Sequence, residues 1–336
     1  MRGHWLLPAL CLLRCFLCVQ ITDSQANDVF TLLMERYNRS YEPDTSEYFL
    51  RMINVKESIR RQAVLNSPSS DAPHNSSATY GINQFSDLSP REFRERYLTS
   101  EPENVPWFPK NKTGGHQSEA MALPAKFDWR DKNIVTAVQN QESCGACWAF
   151  SVVGAIESVY AKEGHPLEPL SVQQVIDCSY QNQGCNGGST IRALSWLMQS
   201  QEKLVDESEY PFKAVTGVCH LFPVSQFGVL VKNFTAFDFS GLEEEMKQKL
   251  VEWGPLIVTV DAMSWQDYLG GVIQHHCSSH HANHAVLITG YDTTGEVPYW
   301  IVRNSWGTSW GNQGYVYIKM GDNVCGIADS VAAVFV

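Results

Sequence analysis

Residues 147–164 constrain this chain more than any other stretch. Cys147 is followed by Trp148, Ala149, Phe150, Val152, Val153, Ala155, Ile156, Val159 and Tyr160, and Gly164 ends the run. A segment that is apolar on most sides, several turns long and stopped by glycine reads as a buried helix. Such a helix needs covering on every side, so the rest of the fold must be built around it. Cys147 then stands at the helix start. There the positive ends of the peptide dipoles favour the thiolate, the nucleophilic form of sulfur.

Cys144 and Cys147 form a C-x-x-C pair, which admits three readings: a redox couple, half of a zinc site, or one bridged cysteine beside one free nucleophile. The chain has ten cysteines, and Cys11, Cys15 and Cys18 lie in an N-terminal apolar segment. The remainder, Cys144, Cys147, Cys178, Cys185, Cys219, Cys277 and Cys325, is an odd set of seven. Three bridges would leave one thiol over. No second C-x-x-C follows, which weakens the zinc reading.

The segment Cys144-Gly145-Ala146-Cys147-Trp148 fits C-G-[SA]-C-[WY], the pattern around the nucleophile of papain and the cathepsins. That pattern expects a histidine and an asparagine far downstream. His284 stands in NHAVLITGYD and Asn304 in WIVRNSWG. The chain therefore resembles the papain family of cysteine proteases over nearly its whole length. The resemblance implies an α+β papain-like fold of two subdomains. A helical half and a β-barrel-like half would flank a cleft, with a helical prosegment in front. It also implies the pairings Cys144–Cys185, Cys178–Cys219 and Cys277–Cys325, where six cysteines alone would allow about fifteen.

The pass along the chain agrees. Residues 1–22, with Arg2, a short apolar stretch over 6–13 and Arg14 after it, read as a secretory signal rather than a membrane span. Sequons at Asn38, Asn75, Asn111 and Asn233 make glycosylation expected on that route. Residues 28–65 have helical periodicity. Glu47, Arg51 and Asn66 fit the spaced prosegment pattern of cathepsin L-like zymogens, while Val55, Ser58 and Gln62 stand where Phe, Asn and Ile are usual. Gly81, Asn83, Phe85 and Asp87 complete a second prosegment element. Residues 23–122 are thus expected to be an inhibitory propeptide. Its Pro- and Gly-containing linker over 99–122 offers the activating cut, and the mature chain begins near Leu123. The mature part reads as helical over about 123–233. From about 234 to 336 a helix over 242–253 precedes strands over 256–261, 285–291, 298–303 and 314–320.

The resemblance assigns roles residue by residue. Cys147 is the nucleophile, His284 its proton partner and Asn304 the group that fixes the imidazole tautomer. Gln141, six residues before Cys147, supplies an oxyanion donor. Trp306 and Trp310 shield the His–Asn contact. Gly187 and Gly188 leave an edge for an extended substrate. The pocket for the second residue before the cut draws on Thr190, Thr259, Ala282, Ala285 and Ser330. Glu142 departs from the usual glycine beside the oxyanion donor. No insertion like the occluding loop of cathepsin B and no mini-chain like that of cathepsin H is present, which points to an endopeptidase.

The chain carries 25 Lys plus Arg against 36 Asp plus Glu, and no basic tract suggests nucleic acid. From residue 123 on there are 12 of the former and 22 of the latter, a net of −10, which suits an acidic compartment such as the lysosome, with secretion as the other destination. The expected partners are polypeptide substrates, the chain's own propeptide and cystatin-like inhibitors, bound by a monomer. No metal or other cofactor is implied. His280 and His284, four apart, would suit a metal only on a helix, and 285–291 reads as a strand. The rival readings are a non-catalytic family member that binds peptides or inhibitors, and a metal or redox protein using Cys144 and Cys147.

Overall fold

The structure is a computed structural model that describes residues 22–67, 77–109, 123–220, 227–279 and 281–336. The expected signal segment, Asn75, Asn111, His280 and most of the activating linker lie outside these residues. Asn38 and Asn233 are both exposed.

The N-terminal part is helical. Helices α1 (Asp23–Arg36) and α2 (Ser46–Leu65) cross over a small core of Phe30, Leu33 and Val55. Strand β1 (Thr79–Tyr80) and helix α3 (Pro90–Tyr97) follow. Ser89 and Glu92 close a capping box with Pro90 in the first turn, so α3 starts with its free N–H groups already satisfied.

Strand β2 (Lys126–Asp128) opens the second part and pairs with β7 far downstream. Helix α4 (Cys147–Lys162) is the buried helix read from the sequence, and Gly164 follows it at φ 95°. Every residue of α4 from Cys147 to Val159 is buried. Helices α5 (Val172–Cys178) and α6 (Thr190–Ser200), capped by Ser171 and Ser189, cover one side of it. Then come β3 (Asn233–Phe237), α7 (Glu243–Trp253), β4 (Leu256–Val260), β5 (Tyr268–Gly270), β6 (Val272–Ile273), β7 (His284–Asp292), β8 (Tyr299–Arg303), β9 (Tyr315–Lys319) and β10 (Val331–Phe335).

The large sheet runs β3-β10-β4-β7-β8-β9-β6, with β2 added to β7. All pairs are antiparallel except β6 with β9. Among the described residues the ladder of this barrel-like half ends at β3 and β6. One set of sheet residues, Ile257, Leu287, Ala332 and Val334, packs with α4; the other, including Val258, Ile288 and Val302, packs with Trp300 and α7. The two halves are therefore welded through α4, and Cys147 at its N-terminal end opens onto their junction.

The helical N-terminal part is bound to this body by a buried polar cluster. Asp267, fully buried on the turn before β5, accepts from Ser58 Oγ at 2.7 Å, Gln62 Nε2 at 3.2 Å and Arg61 Nε at 2.5 Å, all on α2. Ser58 and Gln62 are two of the positions that depart from the usual prosegment pattern, and Asp267 accounts for both: a buried carboxylate requires hydrogen-bond donors opposite it. Next to it, Asn83 Nδ2 donates to the Gln266 carbonyl, and Gln266 Nε2 returns bonds to the carbonyls of Phe85 and Leu88. Asp267→Leu would strand these donors at a cost of about 1–3 kcal/mol for each group left buried and unpaired. The expected result, in a Cys147→Ala background, is faster removal of residues 22–109 by a small amount of added protease at neutral pH. Unchanged digestion would show that the cluster contributes nothing to holding the segment.

Candidate active site

Among the described residues three disulfides occur, Cys144–Cys185, Cys178–Cys219 and Cys277–Cys325, and Cys147 is free. Cys144 is therefore held by Cys185, and the C-x-x-C pair is not a redox couple. The first bridge, with the Gly145 N–H bonded to the Cys185 carbonyl at 2.8 Å, fixes the turn that aims the first residue of α4. Among the described residues no group of three or more His, Cys, Asp or Glu is arranged to hold a metal.

His284 begins β7 and Asn304 follows β8, so the antiparallel pairing of those strands sets them side by side. His284 Nε2 lies 2.8 Å from Asn304 Oδ1. The same oxygen accepts the Ser305 N–H at 2.8 Å, which a side-chain amide nitrogen could not do, so the amide orientation follows from the network. His284 Nε2 must then carry the hydrogen, and in the neutral ring Nδ1 presents its lone pair. Trp306 covers the ring at 4.6 Å, centroid to centroid, and packs edge-on against Trp310 at 4.7 Å.

Gln141 is fully buried. Its Nε2 donates to the Cys144 carbonyl at 3.0 Å and its Oε1 accepts from Ser305 Oγ at 2.7 Å, leaving a second amide hydrogen uncommitted. Ser305 thus supports both Gln141 and Asn304, a role that sequence reading did not give it. Glu142 has φ 52°, in the left-handed region that favours glycine, which explains the glycine usual there. Its exposed side chain lines a cavity of about 540 Å³ together with Arg39, Arg51 and Arg96 of the N-terminal part.

The cleft is filled by the chain itself. The Gly188 N–H donates to the Thr99 carbonyl at 3.2 Å, and the Glu101 N–H donates to the Gly188 carbonyl at 2.9 Å, so Ser100 pairs with Gly188 as a parallel bridge. The Ser100 N–H bonds the Asn283 carbonyl at 3.0 Å from the opposite wall. Gly187, at φ 129°, allows this approach, because a Cβ there would sit 2.5 Å from the Thr99 carbonyl oxygen. Thr259, Ala282 and Ser330 line a cavity of about 880 Å³ under the segment. Thr190 and Ala285 do not line it. Ala285 instead faces a small internal void beside Phe150 and Asn304, and its backbone bonds toward the Cys147 thiol. Phe85 and Phe93 pack on Trp306, each at 5.3 Å.

This covering weighs against the charged forms of Cys147 and His284. Burial pushes the Cys147 thiol up, against hydrogen bonds from the Ala285 backbone and from Thr99. Burial likewise pushes the His284 imidazole down to about 4, against the Asn304 bond and the Tyr97 backbone. In this covered site burial is the largest influence on both groups and disfavours thiolate and imidazolium alike.

Residues 123–335 match the papain family cysteine proteases, and residues 30–93 match the cathepsin propeptide inhibitor domain. The chain belongs to the papain family of cysteine proteases and carries that family's propeptide in front of its peptidase domain. It is 61% identical to cathepsin O of Homo sapiens over 84% of this chain and 86% of the human protein. It is 60% identical to cathepsin O of Mus musculus over 84% of this chain and 89% of the mouse protein. The structure superposes on digestive procathepsin L2 from Tenebrio molitor larval midgut with a TM-score of 0.80, at 30% identity, over 93% of this chain and all of that one.

A depressed histidine pKa gives the covered state a defined pH response. In Cys147→Ala, where no thiolate can hold an imidazolium, a His284 free of the cover takes a proton near its ordinary 6.5, while the covered one resists down to about 4. The covered form is therefore fully favoured above about 6.5 and loses roughly 3 kcal/mol relative to the uncovered form as pH falls toward 4. In that variant the rate at which a small amount of an acid-tolerant protease removes residues 22–109 should rise across that window. A rate flat from pH 7 to 4 would contradict this assignment.

Proposed function

We propose that this papain-family peptidase is an endopeptidase made as a zymogen and delivered through the secretory pathway to the lysosome, with secretion as a second destination. Its polypeptide substrates are cut by the pair Cys147 and His284. The observation that carries the reading is a free thiol at the start of a buried helix, hydrogen-bonded by the backbone of Ala285, the residue that follows a histidine held by Asn304.

Once residues 23–122 leave, solvent reaches the pair, the desolvation penalty falls, and proton transfer from Cys147 Sγ to His284 Nδ1 gives a thiolate and an imidazolium. The thiolate adds to the scissile carbonyl carbon. The oxyanion is held by the uncommitted Gln141 amide hydrogen and the Cys147 backbone N–H. His284 then gives its proton to the leaving amine as the C–N bond breaks, leaving an acyl-thioester on Cys147. A water that loses its proton to His284 attacks the thioester, and the free thiol returns. Residues before the cut lie along Gly188, with the second of them over Thr259, Ala282 and Ser330. Processing removes residues 1–22 as a signal and cuts within 99–122, so that the mature chain starts near Leu123. Cystatin-like inhibitors would block the same cleft.

The test is to treat the acid-processed protein with an epoxysuccinyl affinity label and locate the modification by mass. One label per chain on Cys147, and loss of both labelling and peptide cleavage in Cys147→Ala, is the expected outcome. Cleavage that survived in Cys147→Ala would remove the nucleophile assignment. Gln141→Ala should lower kcat by roughly 10²- to 10³-fold while leaving the label stoichiometry intact.

A further inference from the structure

The segment that fills the cleft also marks out a subsite. Thr99 lies against the Cys147 thiol, and Ser100 pairs with Gly188. The next residue, Glu101, forms an ion pair through Oε2 with Nη2 of Arg192, on α6. Glu103 adds a second contact, Oε1 to Arg192 Nε at 3.0 Å. Alternate residues of an extended chain face the same side. Thr99, Glu101 and Glu103 accordingly all meet the helical half, at Gly145, Gly187 and Arg192.

Within the peptidase part, Arg192 donates from Nη1 to the Gln181 carbonyl at 2.9 Å, which holds the guanidinium in place without neutralising it. Both carboxylates on it come from the segment that activation removes. Its side chain is about a quarter exposed even with that segment present. Removal of the cover thus leaves a positioned, unpaired guanidinium on the cleft wall. The neighbouring cavity takes its charged lining in the peptidase part from Asp238, Asp261 and Asp329, with His281 beside them, and from Arg94 and Glu103 of the segment that is removed.

The geometry points to Arg192 as a specificity-determining residue that favours an acidic side chain at the third position before the cut. This rests on the peptidase reading above, in which the residue before the cut lies at Cys147 and the one before that pairs with Gly188. Counting outward, the third residue takes the place of Glu101 whichever way the chain runs. An acid at the second position is disfavoured by the aspartates around that cavity, so the preference is confined to a single place in the substrate.

The experiment uses processed enzyme from the full chain and matched fluorogenic peptides differing only in Glu, Gln or Lys at the third or the second position before the cut. Assays run above pH 5, so that the peptide glutamate is ionised. At low salt, kcat/KM for Glu over Gln at the third position should be roughly fivefold, the upper range of a screened ion pair, and should shrink in 1 M salt. Arg192→Gln should bring that ratio to one, and Arg192→Glu should invert the order of Glu and Lys. Label stoichiometry at Cys147 confirms that each variant is folded, and Arg192→Gln decides the matter if the charge reversal does not fold. A wild-type ratio of one, or a ratio unchanged in Arg192→Gln, overturns the assignment while leaving the peptidase reading standing. Failure to cleave any of the peptides would instead remove the peptidase reading, and this inference with it.

Discussion

Desolvation at the N-terminal end of α4 is the constraint on which the structure turns. A helix buried from Cys147 to Val159 has no face to give to solvent, so its only functional outlet is its end. The Cys144–Cys185 bridge and the β7–β8 pairing bring that end to a junction between two packed bodies. Whether the groups there are charged depends on what else covers them. The same fold therefore supports two electrostatic states: a dry one in which thiol and imidazole are neutral, and a wet one in which the pair can ionise.

Most of the site was legible because its chemistry is written in short local patterns. Cys147 with its helix, His284 at the head of a strand and Asn304 beside two tryptophans each carry a neighbourhood that says what they sit on. The strands over 256–260, 284–292, 299–303 and 315–319 were also plain from Val, Ile and Tyr content. What was missed depends on distant partners. Strand β2 has only three residues and β10 carries two alanines between its valines, so it is their ladders with β7, β3 and β4 that define them. Helix α3 has a readable start in Ser89-Pro90 and Glu92, but five of its eight residues are charged and only Phe93 and Tyr97 mark its buried face.

The departures from family pattern are the more instructive failures. Ser58 and Gln62 looked like loss of the prosegment pattern when read along one helix. Read against Asp267, more than two hundred positions away, they are the matching half of a polar contact. Val55, by contrast, simply replaces a larger apolar residue within a small core. Glu142 is a third case: the backbone keeps the left-handed conformation that glycine suits, and the side chain points the question toward Arg39, Arg51 and Arg96 instead of toward the oxyanion donor. Sequence patterns record the usual solution at each position. They do not record a substitution that has been matched elsewhere.

Strand β10 follows every other strand in the chain yet sits between β3 and β4. Until Val331–Phe335 have been made, β3 has no partner and β4 keeps an open edge. The sheet that presents His284 therefore cannot be completed on a partly synthesised chain, and its closure belongs to the slow class of long-range strand pairings. The N-terminal helices, with their own small core, have no such dependence and are the earlier part to emerge. In the order of synthesis the cover can take shape before the cleft it will fill, so the thiol meets its inhibitor at the moment the active body closes.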